Sequence, residues 1–151
     1  MTEVKIRRVQ ASDRARWDEL FRGYIAFYKA SVADEIIDEL FRRLLSDEPG
    51  THTGFVAVDA NGRPVGLAHV LLHNSTWSNS GYLYLEDLYV DPACRQTGIG
   101  AALIRKTYEE ADRLGASRTY WMTQEFNYRA RALYDTLGHK TEFVQYYRGE
   151  D

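Results

Sequence analysis

The spacing of apolar residues divides the chain into short alternating runs and longer stripes of helical period. Residues 4–9 alternate imperfectly, with Val4, Ile6 and charged Arg8 on one face and Lys5, Arg7 and Val9 on the other, which suits a first strand. Ser12 and Asp13 can cap a helix running to about Ala30, along which Trp17, Leu20, Phe21, Tyr24, Ile25 and Tyr28 recur at helical spacing. Asp34 opens a second amphipathic helix with Ile36, Ile37, Leu40, Phe41, Leu44 and Leu45 as its stripe, and Asp47-Glu48-Pro49-Gly50 ends it. Residues 55–59 and 64–72 read as strands joined by an Asn61-Gly62 hairpin turn. A polar, turn-rich stretch with Trp77 inside it leads to a strand over 82–90, stopped by Asp91-Pro92. A helix over 99–114 closes on Gly115. Residues 118–123 form the next strand. Residues 127–137 form a helix with Ala130, Leu133, Tyr134 and Leu137 on one face, closed by Gly138, and residues 140–147 form a last strand. With no internal repeat or linker, the order β-αα-β-β-β-α-β-α-β predicts one α/β domain with a mixed sheet over residues 1–151.

The junction between the strand over 82–90 and the helix over 99–114 carries Arg95-Gln96-Thr97-Gly98-Ile99-Gly100. Backbone N–H groups in a first helical turn lack intrahelical partners, and the helix dipole adds partial positive charge there. Glycine lets a phosphate approach the backbone, and Arg95 adds a fixed cation. A P-loop is excluded because no Gly-x-x-x-x-Gly-Lys-Ser/Thr occurs, and a dinucleotide fingerprint because position 103 is Leu103. The glycines alone are equally compatible with a loop that merely enters a helix.

Bulk properties narrow the setting. The 151 residues suffice for one domain with a real core, and 44% hydrophobic with 27% charged residues is ordinary for a globular protein. A net charge of -3 gives no basic field for nucleic acid. Apolar runs are too short for a bilayer, and the first residues lack a signal-peptide core. The single Cys94 leaves no disulfide or metal framework. A cytoplasmic protein without a metal is expected. Eleven tyrosines suggest a partly wet cavity, since tyrosine combines apolar area with a polar tip.

Two acids, Glu86-Asp87, lie in the strand before the glycine loop, and strand alternation should send them to opposite faces. Asn127 and Tyr134 stand seven residues apart in the last helix. Taken together, Leu88-Tyr89-Val90-Asp91-Pro92, Arg95-x-x-Gly98-Ile99-Gly100-Ala101-x-Leu103 and Asn127 through Gly138 resemble the GCN5-related N-acetyltransferase (GNAT) superfamily over nearly the full chain. Tyr84-Leu85-Glu86-Asp87-Leu88-Tyr89-Val90 looks like the diamine and polyamine branch, where Trp77 also has a counterpart. The resemblance implies a mostly antiparallel sheet flanked by helices, acetyl-coenzyme A as donor, and a homodimer, with residues 142–147 as a candidate interface. It implies that backbone N–H groups of Gln96, Thr97, Gly98, Ile99, Gly100 and Ala101 hold the pyrophosphate, with Arg95 near the phosphates. The pantetheine arm would pair with Leu88, Tyr89 and Val90 like an extra strand. Asn127 would bind an amide of the donor or hold the strands apart, with Ala130 and Tyr134 alongside.

Acetylating an amine requires removing a proton from an ammonium whose pKa is about 10.4, stabilising an oxyanion, and protonating the leaving thiolate. Glu86, acting through a water, is the candidate base, its plain alternative being a solvated acid at a sheet rim. Asp87 is the second choice, better suited to pair with the substrate ammonium or to serve as a structural acceptor. Tyr134 is the candidate acid, although on an apolar helix face most tyrosines are simply core. A backbone N–H near Leu88 is expected to polarise the thioester carbonyl. Tyr24, Tyr28 and Trp77 offer an aromatic wall for an alkyl ammonium, with core packing as the alternative for the first two. His69 and His73 are lesser candidates for the base, and Cys94 reads as incidental. The basic run Asn127-Tyr128-Arg129-Ala130-Arg131 departs from what a polycation site would favour. The expected acceptor is a small diamine-like or amino-acid-like primary amine. A protein lysine or N-terminal acetyltransferase, or a non-catalytic acetyl-coenzyme A-binding module, are the alternatives.

Overall fold

The computed structural model describes residues 4–48, 52–95 and 97–149. Five strands, β1 (Lys5–Arg8), β2 (Thr53–Val58), β3 (Pro64–His73), β4 (Tyr82–Val90) and β5 (Arg118–Trp121), lie side by side in chain order. The pairings from β1 to β4 are antiparallel, and β5 joins β4 in parallel. Among the described residues the α-helices are α1 (Arg14–Phe27), α2 (Asp34–Leu44), α3 (Ile99–Leu114) and α4 (Tyr128–Leu137).

Alternation along the central strands builds two cores. Val56, Val58 and Leu67 face Trp17, Leu20 and Phe21 of α1 and Ile37, Phe41 and Leu44 of α2. Phe55, Ala57, Ala68, Val70, Leu83 and Leu85 face Ile99, Leu103 and Ile104 of α3, with Leu133 and Tyr134 of α4 at the margin. Strands covered on both faces read as nearly continuous apolar runs, as β2 and β3 do. At the tip of the β2–β3 hairpin, Gly62 adopts a φ of 78° and its N–H donates to the Asp59 carbonyl, the turn expected from Asn61-Gly62.

Three expectations need correction. Asp13 does not cap α1: a short 3-10 turn precedes the helix, and the Asp13 carboxylate instead accepts both Arg7 nitrogens, at 2.8 and 2.9 Å, and the Gln10 N–H. The strand expected over 140–147 does not form; the segment is without regular structure and exposes Phe143, Val144, Tyr146 and Tyr147. An alternating run becomes a strand only when a neighbour accepts its backbone hydrogen bonds, and none does so here among the described residues. Strict alternation does not hold at Glu86, because a bulge interrupts β4 there: His69 pairs with Asp87 but Val70 pairs with Leu85, leaving Glu86 as the extra residue.

Candidate active site

β4 and β5 pair only from Tyr82 with Arg118 to Leu85 with Trp121. Beyond Leu85, β4 continues to Val90 with no strand on that side among the described residues. This leaves a row of backbone groups on β4 facing an opening, and a cavity of about 420 Å³ lies there. Leu88, Tyr89 and Val90 form one wall, the start of α3 the floor, and Asn127, Ala130, Leu133 and Tyr134 the opposite wall.

The floor is built by the glycine loop. Gly98 sits at the N-cap of α3 with φ 86°, a left-handed conformation that residues with a Cβ adopt at a cost. Among the described residues no side chain caps the helix, and its first turn lines the cavity with N–H groups that have no intrahelical partner. A Cβ on Gly100 would stand 3.3 Å from a Leu133 methyl, so this glycine lets α4 close on α3. Arg95 places its guanidinium over the Tyr89 ring at 5.4 Å and donates from Nε to the Val90 carbonyl. Gly98, Ile99, Gly100, Ala101 and Arg95 all line the cavity. Thr97 turns its hydroxyl to the Cys94 carbonyl instead, and Gln96 lies outside the described residues. Asn127 caps α4, its side-chain oxygen accepting from the Ala130 N–H.

A narrow recess of about 10 Å³, the space of one water, adjoins the cavity. Tyr24, Tyr28, Leu88 and Tyr134 line both, and Glu86 and Trp121 belong to the recess. The bulge thus brings Glu86 to the same opening as Tyr134. Burial, then the charge of Asp87, pushes the Glu86 carboxyl above the usual glutamate range. Burial, then Tyr28, pushes the Tyr134 phenol up to about 12, and its ring meets Trp121 edge-on at 5.6 Å. Tyr24 donates to the Glu86 carbonyl at 3.3 Å, and burial followed by the charge of Asp87 raises its phenol further still. Tyr24 also contacts Tyr28 and Tyr89 edge-on. Asp87 points to the α1 side, where its carboxylate meets His69 Nδ1 at 2.8 Å.

Trp77 is 87% exposed in the loop before β4 and lines neither cavity, and Asp87 and Thr97 are likewise absent from the lining of both. Arg129 of the basic run at the start of α4 lines the larger cavity and not the recess. Phe27, Leu133 and Cys94 are additional lining residues, hidden in the sequence among ordinary apolar positions. Among the described residues, no cluster of His, Cys, Asp and Glu can hold a metal, and no helix is long and apolar enough to cross a membrane.

The open strand edge, the helix start and the cavity between them fit a long donor that carries a pyrophosphate. The model of the acetyltransferase (GNAT) family matches residues 17–139, and the chain belongs to that family. It is an acetyl-coenzyme A-dependent N-acetyltransferase. Among its relatives is the D-amino-acid N-acetyltransferase HPA3 of Saccharomyces cerevisiae, 33% identical over 146 residues, covering 96% of this chain and 90% of the relative. Another is the thialysine N-epsilon-acetyltransferase of Bos taurus, 32% identical over 145 residues, covering 91% and 85%. The fold is that of the aminoglycoside N-acetyltransferase AAC(6')-Iy, solved with coenzyme A, at a TM-score of 0.80 and 21% identity, covering 100% of this chain and 97% of that one.

Proposed function

We propose that the protein acetylates a small cationic primary amine, with Glu86 as general base and Tyr134 as general acid. The observation that carries the reading is the shared opening: Glu86 and Tyr134 line one recess, and Tyr134 also lines the larger cavity. When bound, acetyl-coenzyme A supplies the activated acyl thioester. The residues that would hold it are Leu88, Tyr89 and Val90 along the strand edge, Asn127 and Ala130 opposite, and Arg95 with Gly98, Ile99, Gly100 and Ala101 at the phosphates.

Each role follows from chemistry at a named atom. Asp87 offers negative charge to the incoming ammonium. The Glu86 carboxylate takes up the proton through one water in the recess, and its raised pKa makes it a better base than an ordinary glutamate. Tyr134 keeps its proton at neutral pH because its phenol is pushed up to about 12, so it stays a donor to a departing sulfur. Tyr24 and Tyr28 give aromatic faces to the cation. A backbone N–H near Leu88 is the candidate donor to the acyl oxygen.

The charge layout favours one class of amine. Among the described residues no lysine or arginine lines the recess, while Glu86 lines it and the charge of Asp87 acts on Glu86. A carboxylate attached next to the reacting nitrogen would meet like charge there. The acceptor is therefore read as a diamine or side-chain amine, nearer in kind to the thialysine of one relative than to the α-amine of a D-amino acid. Thiol release from acetyl-coenzyme A, measured against diamines, polyamines, thialysine, D-amino acids and a lysine peptide, tests this. Diamines or thialysine should lead the series, and a clear preference for D-amino acids would reject the charge argument. We also read the chain as a homodimer. Support comes from the exposed Phe143, Val144, Tyr146 and Tyr147 in the terminal segment. A monomeric mass at micromolar concentration would count against it.

A further inference from the structure

Behind Asp87 lies a buried chain of hydrogen bonds, through His69 to Trp17, whose two inner members the mechanism above does not use. Trp17 on α1 is fully buried and His69 on β3 is 1% exposed. Trp17 Nε1 lies 3.0 Å from His69 Nε2, and His69 Nδ1 lies 2.8 Å from Asp87 Oδ2. An indole N–H can only donate. His69 Nε2 must therefore carry a lone pair, and the ring proton sits on Nδ1, facing the carboxylate. A doubly protonated His69 would set Nε2–H against the indole N–H in a dry core and leave the indole donor unsatisfied. The rest of the surroundings suit a fixed ring: Phe21 meets the His69 ring edge-on at 5.1 Å, and Trp17 lies at 5.8 Å.

We propose that Trp17 holds His69 as the neutral Nδ1–H tautomer, so that His69 orients the Asp87 carboxylate without cancelling its charge. His69 and Trp17 are thus positioning residues for amine recognition. The idea rests on the reading that Asp87 meets the acceptor ammonium. An ordinary histidine next to an aspartate tends to become an imidazolium and form an ion pair, which would neutralise the charge the ammonium needs. The indole donor forbids that protonation from the far side of the ring. The titratable groups facing His69 and Asp87 are Glu86 and Tyr84 on β4, Tyr24 on α1 and His52 ahead of β2.

The test begins with the unaltered protein. Nitrogen-15 NMR of histidine-labelled enzyme should show His69 as the neutral Nδ1–H tautomer at about pH 5.5 and about pH 8.5, although free histidine titrates between them. An imidazolium, or the Nε2–H tautomer, at neutral pH would overturn the proposal. Trp17→Phe then removes the donor while keeping an aromatic ring. In that variant His69 should gain a proton as the pH is lowered, and the amine KM should rise roughly tenfold with it. The donor KM and the kcat at saturating amine should change little. A Trp17→Phe protein whose His69 protonates with no change in amine KM would also overturn the proposal. Asp87→Asn separates this from failure of the underlying reading: if it leaves the amine KM unmoved, Asp87 does not meet the ammonium at all. His69→Gln, which keeps a donor toward Asp87, should retain more amine affinity than His69→Leu, and the reverse order would count against positioning.

Discussion

Replacing Tyr134 with phenylalanine removes one hydroxyl from the wall shared by the cavity and the recess. That hydroxyl makes no hydrogen bond within the described residues, while the ring keeps its contact with Trp121. Folding stability should therefore change by less than about 0.5 kcal/mol. Catalysis is another matter. General acids contribute roughly 10²- to 10⁴-fold, or about 3–5 kcal/mol of barrier. With the phenol at about 12 and a thiol at its ordinary value near 8.5, full proton transfer to sulfur is uphill by about 3.5 units. The benefit then comes from a strong hydrogen bond in the transition state, which places the effect near the lower end, roughly hundredfold in kcat. Steady-state thiol release at saturating amine and donor measures it, with calorimetry for coenzyme A affinity and a thermal melt as controls. A kcat within threefold of the parent would refute the reasoning, as would a loss of rate explained by lost coenzyme A binding.

Asp13→Asn should destabilise the fold by about 2–3 kcal/mol in urea unfolding, because it breaks the two-pronged contact with Arg7 around a carboxylate only 4% exposed. Burial alone would raise the Asp13 pKa, but the bonds from Arg7 and Gln10 outweigh it and hold the carboxyl below its usual range. A lowered folded pKa means stability is fully present above the unfolded value of about 3.9 and is lost as pH falls through the folded value. The gap between parent and variant should thus be constant from about pH 5 upward and close at lower pH; a gap that widens on acidification would contradict this. Gly98→Ala should raise the donor KM severalfold and cost about 1–2 kcal/mol of stability, since φ is 86° there. An unchanged donor KM would remove the loop from the phosphate site.

Most elements were legible because burial leaves a period in the sequence. Trp17, Leu20, Phe21 and Tyr24 recur at helical spacing and do face the sheet. The Asn61-Gly62 turn and the Gly115 cap carry their own backbone requirements, with φ of 78° at Gly62 and 71° at Gly115. The glycine loop before α3 was legible for the same reason, since Gly98 stands where the chain turns left-handed. What failed depended on partners far along the chain. Residues 140–147 alternate like a strand, but alternation does not supply a neighbour. Trp77 looked functional by its position relative to β4, yet position in a loop does not fix direction. The bulge at Glu86 has no signature in residue type, so the break in strict alternation there could not be read from the sequence. His69 seemed unremarkable because its partners lie 52 residues before it and 18 after it.

The pH dependence of kcat/KM for Glu86→Gln tests the central claim most directly. Burial and Asp87 raise the Glu86 carboxyl, so the parent should lose activity on acidification with an apparent pKa above that of an ordinary glutamate, about 4.3. With one diamine acceptor, and with coenzyme A affinity checked, the variant should lose this acidic limb and fall at least about hundredfold at its optimum. A variant that keeps the parent's acidic limb and most of its rate would contradict the assignment of Glu86 as the base.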